Sequence, residues 1–169
     1  MQKFTSAATS INSARLPAVF RKINPVPGSV LLDIGCGRYV DHIRSALHDV
    51  VYLPYDPYNQ PHAVNALSVR RLWRTVRHGT RPVSVVCSNV LNVIDDDGSV
   101  SLLAAHIQDV VNRSGGIGYV TVYEGNRSGT GCQTGPDQWQ RNEPLRSYLR
   151  FFAPSAYVRN NMIIIIPEV

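Results

Sequence analysis

Lysine is nearly absent from this 169-residue chain: of seventeen basic residues only Lys3 and Lys22 are lysine, and the rest are arginine. With twelve acidic residues the formal net charge is +5. Guanidinium forks suit phosphate and carboxylate, so this bias admits a polyanionic partner without requiring one. Cysteine is scarce too. Cys36, Cys87 and Cys132 are odd in number and lack C-x-x-C spacing, which gives no basis for a disulfide framework or a zinc site. A reducing, cytoplasmic setting is expected. No apolar run approaches the roughly 20 residues that span a bilayer. The longest, "MIIII" at 162–166, is the length of a strand, so no membrane association is expected. Acidic residues are missing from the first 24 positions, which hold Lys3, Arg15, Arg21 and Lys22 as a transit peptide would. Leu16, Phe20 and Ile23, spaced by four and three, instead make "SARLPAVFRKI" read as an amphipathic helix. There is no internal repeat and no low-complexity segment.

What is present suits one compact domain. Hydrophobic residues make up 44% of the chain and charged residues 17%, a balance that supports a core and argues against disorder. The length closes a single core. We expect an N-terminal helical segment, 1–28, packed on a domain formed by 29–169. After Pro25, Pro27 and Gly28, "SVLLDIG" reads as a buried strand, "VDHIRSALHD" as a helix and "VVYLPYD" as a second strand. Strand, helix, strand is the beginning of an α/β sheet. A proline-rich stretch, "DPYNQPHAVNAL", is expected to replace a second full helix, with "SVRRLWRTVRHG" helical after it. "PVSVVCSNVLNVI" is a strand entering a loop, "SVSLLAAHIQDVVNRSGG" a helix stopped by glycines, and "IGYVTVYEG" a strand. A polar, Gly-rich loop at 125–136, a helix near "QWQRNEPLRSYLRFF" and strands around "AYVRN" and "MIIIIPE" complete the chain.

In open α/β sheets ligands sit beyond the carboxyl ends of the strands, where strand order reverses. Residues 33–37, "DIGCG", occupy such an end. Gly35 and Gly37 let the backbone turn sharply and lie close to a ligand. A dinucleotide fingerprint requires a third small residue, but Val40 stands there and an acid precedes the first glycine, which disfavours a nicotinamide cofactor. Asp56 closes the second strand, where a carboxylate either accepts from ribose hydroxyls or starts a turn before Pro57.

Read as D-x-G-x-G, Asp33, Gly35 and Gly37 resemble the first motif of class I S-adenosylmethionine-dependent methyltransferases. The resemblance implies a Rossmann-like fold, a mostly parallel seven-stranded sheet with helices on both faces, and S-adenosylmethionine as cofactor. It also implies that Asp33, Gly35 and Gly37 surround the methionine and ribose parts, that Asp56 holds the ribose, and that Asn65, in "VNAL", reads the adenine amine where the family carries Asp. "VCSNVLNVIDD" resembles the family's segment after the fourth strand and puts Asn89 and Asn92 at the methyl-transfer centre, Asn89 also beside the cofactor. "SARLPAVFRKI", "LLDIGCGRYVDHI", "CSNVLNVI", "YEGNRSGTG" and "QWQRN" together resemble small methyltransferase-like proteins of bacteria and phages, including those associated with DNA phosphorothioation.

Methyl transfer needs alignment and water exclusion more than it needs a base. Asn89 lacks the neighbouring prolines and aromatic of an N-P-P-Y motif. Glu124, ending the fifth strand, serves either as a base or to hold an arginine of the next loop. The long polar segment "GNRSGTGCQTGPDQWQRNE" is expected to act as a lid carrying Arg127, Gln138, Trp139, Gln140, Arg141 and Asn142 to the acceptor, although Trp139 equally suits a core anchor. Tyr39 and Asp41 are placed near the methionine end, and Cys36 is a small filler between glycines. Arg70, Arg74, Arg77 and Arg81, three or four apart, form either a phosphate track for nucleic acid or a solvated face. The expected activity is methyl transfer to an unidentified acceptor, with a nucleic-acid base leading. The alternatives are a small-molecule methyltransferase and a non-catalytic S-adenosylmethionine-binding or protein-interaction module.

Overall fold

The structure is a computed structural model and describes residues 1–7, 16–38 and 40–168. Its centre is β1 (Val30–Ile34), the strand read in "SVLLDIG". Parallel partners lie on both sides, β2 (Val51–Tyr55) and β3 (Val83–Ser88), with Leu32 opposite Leu53 and Val85. β4 (Gly118–Thr121) adds parallel to β3. β7 (Ala156–Arg159) and β8 (Met162–Ile165) then join as an antiparallel pair, β8 against β4. The order is β2-β1-β3-β4-β8-β7. The sheet is therefore mostly parallel, as expected, but has six strands and not seven. The reason is chain length: all of the connection between β2 and β3 that is long enough to form an element goes into one helix, leaving none for a further edge strand.

That helix, α2 (His62–His78), corrects the expectation that prolines would displace its first half. Pro61 stands at its N-cap with φ −56°, already near the helical value, and its missing N–H would have had no partner in the first turn. "HAVNALSVRRLWRTVRH" therefore runs as one helix, stopped by Gly79 in the left-handed conformation. α3 (Asp97–Ser114) starts where the Asp96 side chain accepts from Ser99 N and ends at left-handed Gly115. α1 (Val40–Ala46) is short.

Side-chain alternation along the strands separates two cores. Val30, Leu32, Val85, Cys87, Ile163 and Ile165 meet α2 and α3 through Leu72, Ile107 and Val111. Leu31, Tyr52, Val86, Met162 and Ile164 point to the opposite face, against Ile43 of α1 and Val19 and Phe20 of an N-terminal 3-10 turn, Ala18–Arg21. Helical elements thus cover both faces. The N-terminal amphipathic helix is reduced, among the described residues, to that one turn, with Pro17 before it and residues 13–15 outside the description. The Gly-rich loop is a two-stranded antiparallel ribbon, β5 (Cys132–Gly135) with β6 (Gln138–Gln140). "QWQRNEPLRSYLRFF" is accordingly β6 followed, after Pro144, by a 3-10 segment Leu145–Phe151 instead of a single helix. Among the described residues, no helix is long and apolar enough to cross a membrane.

Candidate functional site

Because β1 has β2 on one side and β3 on the other, the chain reverses strand order between β1 and β3, which opens a crevice at their carboxyl ends. A cavity of about 820 Å³ lies there, lined by residues 33–37 after β1, 55–59 after β2 and 88–90 after β3. The volume is that of a small-molecule site. Among the described residues that line it there is no lysine and no arginine, whereas Asp33 and Asp56 both border it.

Gly35 has φ +70° and lies so close to the segment after β3 that a Cβ there would overlap the Val90 side chain. Its N–H donates to the Tyr55 carbonyl at 2.7 Å, tying the glycine turn to the end of β2. Asp33 is 2% exposed and accepts from the Tyr52 hydroxyl at 2.6 Å. Burial pushes its carboxyl up to about 7; the Tyr52 hydrogen bond works against this and the nearby Asp56 charge adds to it. Asp56 is buried and fully engaged. Oδ2 accepts from Gly37 N at 2.9 Å and Asn59 Nδ2 at 3.2 Å, and Oδ1 from Tyr58 N and Asn59 N, each at 2.9 Å. Four donors use the acceptor capacity of a carboxylate, so a ribose reaching Asp56 must displace one of them. The Asn59 side chain is the longest contact and the one free to rotate.

The opposite wall comes from the segment after β3 and from the ribbon. Asn89 is exposed with φ +57°, its N–H bound to the Thr121 carbonyl at 2.8 Å, and its residue lines the cavity. Asn92 is buried; Nδ2 donates to Gln140 Oε1 at 3.2 Å, and Oδ1 has no partner. Trp139 also lines the cavity, stacks on Phe4 with ring centroids 5.8 Å apart and leaves its buried indole N–H unpaired. Residues 1–7 run along this wall. Lys3 N donates to Asp95, Thr5 N to Asp137 at 2.8 Å, and Ser6 bridges the Val93 carbonyl and Trp139 N.

The structure thus brings together Asp33, Gly35, Gly37, Asp56, Asn89, Asn92 and Trp139 around one cavity. Other candidates have different partners. Asn65 clasps the backbone of Asp56, its Oδ1 accepting from Asp56 N and its Nδ2 donating to Asp56 O, both at 2.9 Å, so its amide is already committed. Glu124 accepts from Leu145 N at 2.6 Å and pairs with Arg127 at 2.5 Å, outside the cavity lining. Arg127 is exposed on the protein surface. Arg141 is buried: Nε donates to the Ile94 carbonyl at 2.6 Å, and Nη1 pairs with Asp97 and Glu143. It locks the ribbon to the start of α3 and faces no ligand space. Asp41 is exposed and pairs with Arg44. Cys36 is buried beside the cavity, with its thiol pushed up by burial. Tyr39 lies outside the described residues.

Sequence reasoning missed Tyr52, Asn59 and His106. His106, on α3, borders the cavity with Nδ1 2.9 Å from the Leu102 carbonyl. A carbonyl only accepts, so that contact places the hydrogen on Nδ1 and leaves Nε2 as the basic nitrogen. A histidine on an ordinary amphipathic helix gives no local signal of this. Tyr52 was legible in principle, since strand alternation puts it on the sheet face opposite Leu53.

No protein-family profile matches the chain, and no curated protein matches it in sequence. Among solved structures, coclaurine N-methyltransferase bound to N-methylheliamine and SAH is similar with a TM-score of 0.46 at 12% identity, covering 85% of this chain. This chain spans only 47% of that protein's length. PKMT2 from Rickettsia typhi in complex with AdoHcy is similar with a TM-score of 0.32 at 16% identity, over 61% of this chain and 23% of the other.

Proposed function

We propose that the chain is an S-adenosylmethionine-dependent methyltransferase. The observation that carries this reading is the cavity at the β1/β3 reversal, bordered by a glycine turn and two buried carboxylates and by no described lysine or arginine. Such a cavity favours a cationic ligand, because burying Asp33 and Asp56 without a counter-charge is costly and a positive group relieves that cost. The sulfonium and ammonium of S-adenosylmethionine fit this. The D-x-G-x-G resemblance independently points to the same cofactor.

Asp33 would face the cationic end, Gly35 would allow close approach, and Asp56 would take the ribose once Asn59 moves aside. The cofactor supplies an electrophilic methyl group when bound. The chain's own task is to align an acceptor and keep out water. The test is calorimetric titration with S-adenosylmethionine and S-adenosylhomocysteine, each with wild type and with Asp33→Asn at pH 8. We expect saturable binding of both, weakened at least tenfold in the variant. Wild-type protein that binds neither compound is not a methyltransferase of this kind.

A second reading concerns the partner. Arg70, Arg74, Arg77 and Arg81 are exposed, and among the described residues no carboxylate pairs with them. Guanidiniums along one helix and just beyond its end, without a described carboxylate partner, suit a nucleic-acid backbone. Arg70 borders a hollow that shares Tyr55 and Pro57 with the main cavity. Arg81 stands beyond the C-cap of α2, next to the start of β3 and so at the other end of the strands. The track therefore runs away from the cavity, and it supports nucleic-acid binding more directly than delivery of a base for methylation.

A further inference from the structure

This inference rests on the methyltransferase reading and concerns the half of the cavity away from the glycine turn. Gln140 donates through Nε2 to the Tyr123 carbonyl at 2.9 Å, and Asn92 donates through Nδ2 to Gln140 Oε1 at 3.2 Å. A backbone carbonyl has no hydrogen to give, so the Tyr123 end fixes the direction of the Gln140 amide, and Gln140 fixes that of Asn92. Reversing either amide would set oxygen against oxygen. The Asn92 amide therefore has one allowed orientation, which leaves Oδ1 as an acceptor. Asn92 is 2% exposed, lines the cavity, and its Oδ1 has no partner among the described residues. A buried acceptor fixed in this way is costly to leave unpaired.

We propose that Asn92 Oδ1 is the recognition point of an acceptor subsite, and that this subsite takes a neutral or cationic nitrogen compound presenting an N–H. The relay sets the direction of the hydrogen bond, since only a donor satisfies a locked acceptor. The surrounding charge sets the class. Asp33 and Asp56 border the same cavity, and no lysine or arginine does among the described residues, so carboxylates and phosphates are repelled. An amine or N-heterocycle combines a donor hydrogen with tolerance of positive charge. Trp139, on the same wall, contributes an apolar ring and a second orphan group, its indole N–H.

The probes are benzimidazole, 1-methylbenzimidazole, which lacks the N–H at nearly the same size, and benzoate. Each is titrated into protein saturated with S-adenosylhomocysteine and into protein without it. Binding is followed by calorimetry and by the Trp139 indole N–H resonance, with Trp73, outside the cavity lining, as internal reference. We expect benzimidazole to bind at least tenfold more tightly than its methylated analogue, to shift the Trp139 resonance, and to outcompete benzoate. Asn92→Ala is expected to equalise the two benzimidazoles. Gln140→Met, which keeps Asn92 but unlocks its amide, is expected to narrow the preference while retaining binding.

Equal affinities in wild type, no fragment binding, tighter binding of benzoate, or an undiminished preference in both variants would each overturn the subsite. The two readings fail separately. Binding of S-adenosylhomocysteine without the N–H preference removes the subsite alone, and the N–H preference without binding of S-adenosylhomocysteine removes the methyltransferase reading alone.

Discussion

Asp33 works against the fold that carries it. A carboxyl ordinarily titrates near 3.9, and burial raises this one to about 7. The folded chain thus holds a proton between those values that the unfolded chain has released. The contribution of Asp33 to stability is greatest below about pH 4, falls by roughly 1.4 kcal/mol per unit up to about 7 and is level above, a loss of about 4 kcal/mol from this group. Asp33→Asn keeps an oxygen for the Tyr52 hydroxyl and removes the titration. We predict that urea unfolding will find the variant more stable than wild type at pH 8 by up to ~4 kcal/mol, with the difference vanishing toward pH 4. Parallel pH–stability curves for the two proteins would show that Asp33 does not titrate as described. The sequence revealed Asp33 and Asp56 as candidates because an acid at a strand end before glycines is a local pattern. It did not reveal that four N–H groups already occupy Asp56, because Tyr58 and Asn59 reach it only through the turn they form.

Among elements, the N-terminal arm and the β5–β6 ribbon depend on each other. Thr5 donates to Asp137 through both N and Oγ1, Ser6 N donates to the Asp137 carbonyl at 2.9 Å, and Phe4 stacks on Trp139. These contacts hold residues 1–7 over the wall formed by Asn92 and Trp139. Asp137 is exposed, so its loss should cost the global fold no more than about 0.5 kcal/mol. We predict that Asp137→Ala leaves the unfolding midpoint nearly unchanged but accelerates hydrogen exchange at the Ser6 and Trp139 amides. Unchanged exchange would mean that the Phe4 stack and Ser6 hold the arm without Asp137. Sequence reads β5 as open loop and β6 as the start of a helix because neither strand shows hydrophobic alternation; their pairing with each other and the arm replace that signal.

At the scale of the whole molecule, charge is segregated. Asp33 and Asp56 border the cavity at the carboxyl ends of the strands, while Arg74, Arg77 and Arg81 lie on α2 and beyond its end. If those arginines contact phosphates, the logarithm of duplex affinity should fall linearly with the logarithm of salt, by about 0.9 per contact. We predict that Arg74→Gln with Arg77→Gln lowers that slope by about 1.8 and leaves S-adenosylhomocysteine binding unaltered. An unchanged slope would assign the arginines to a solvated face.

Local residue order determined the six strands of the main sheet, the glycine turn and the acid at the end of β2, because alternation, punctuation and glycine spacing act within a few positions. It also gave α3, whose period and glycine stop are both local. Tertiary structure alone decided that Arg141 is a buried clasp instead of a ligand for substrate. It alone decided which polar atoms near the cavity remain unpaired. Asn65 and Asn92 carry the same side chain, and only their neighbours distinguish them: the Asp56 backbone occupies both ends of one amide, whereas the Tyr123 carbonyl, acting through Gln140, leaves an oxygen of the other without a partner. Hydrogen-bond occupancy depends on groups far apart in the chain that folding brings together, so no local pattern encodes it.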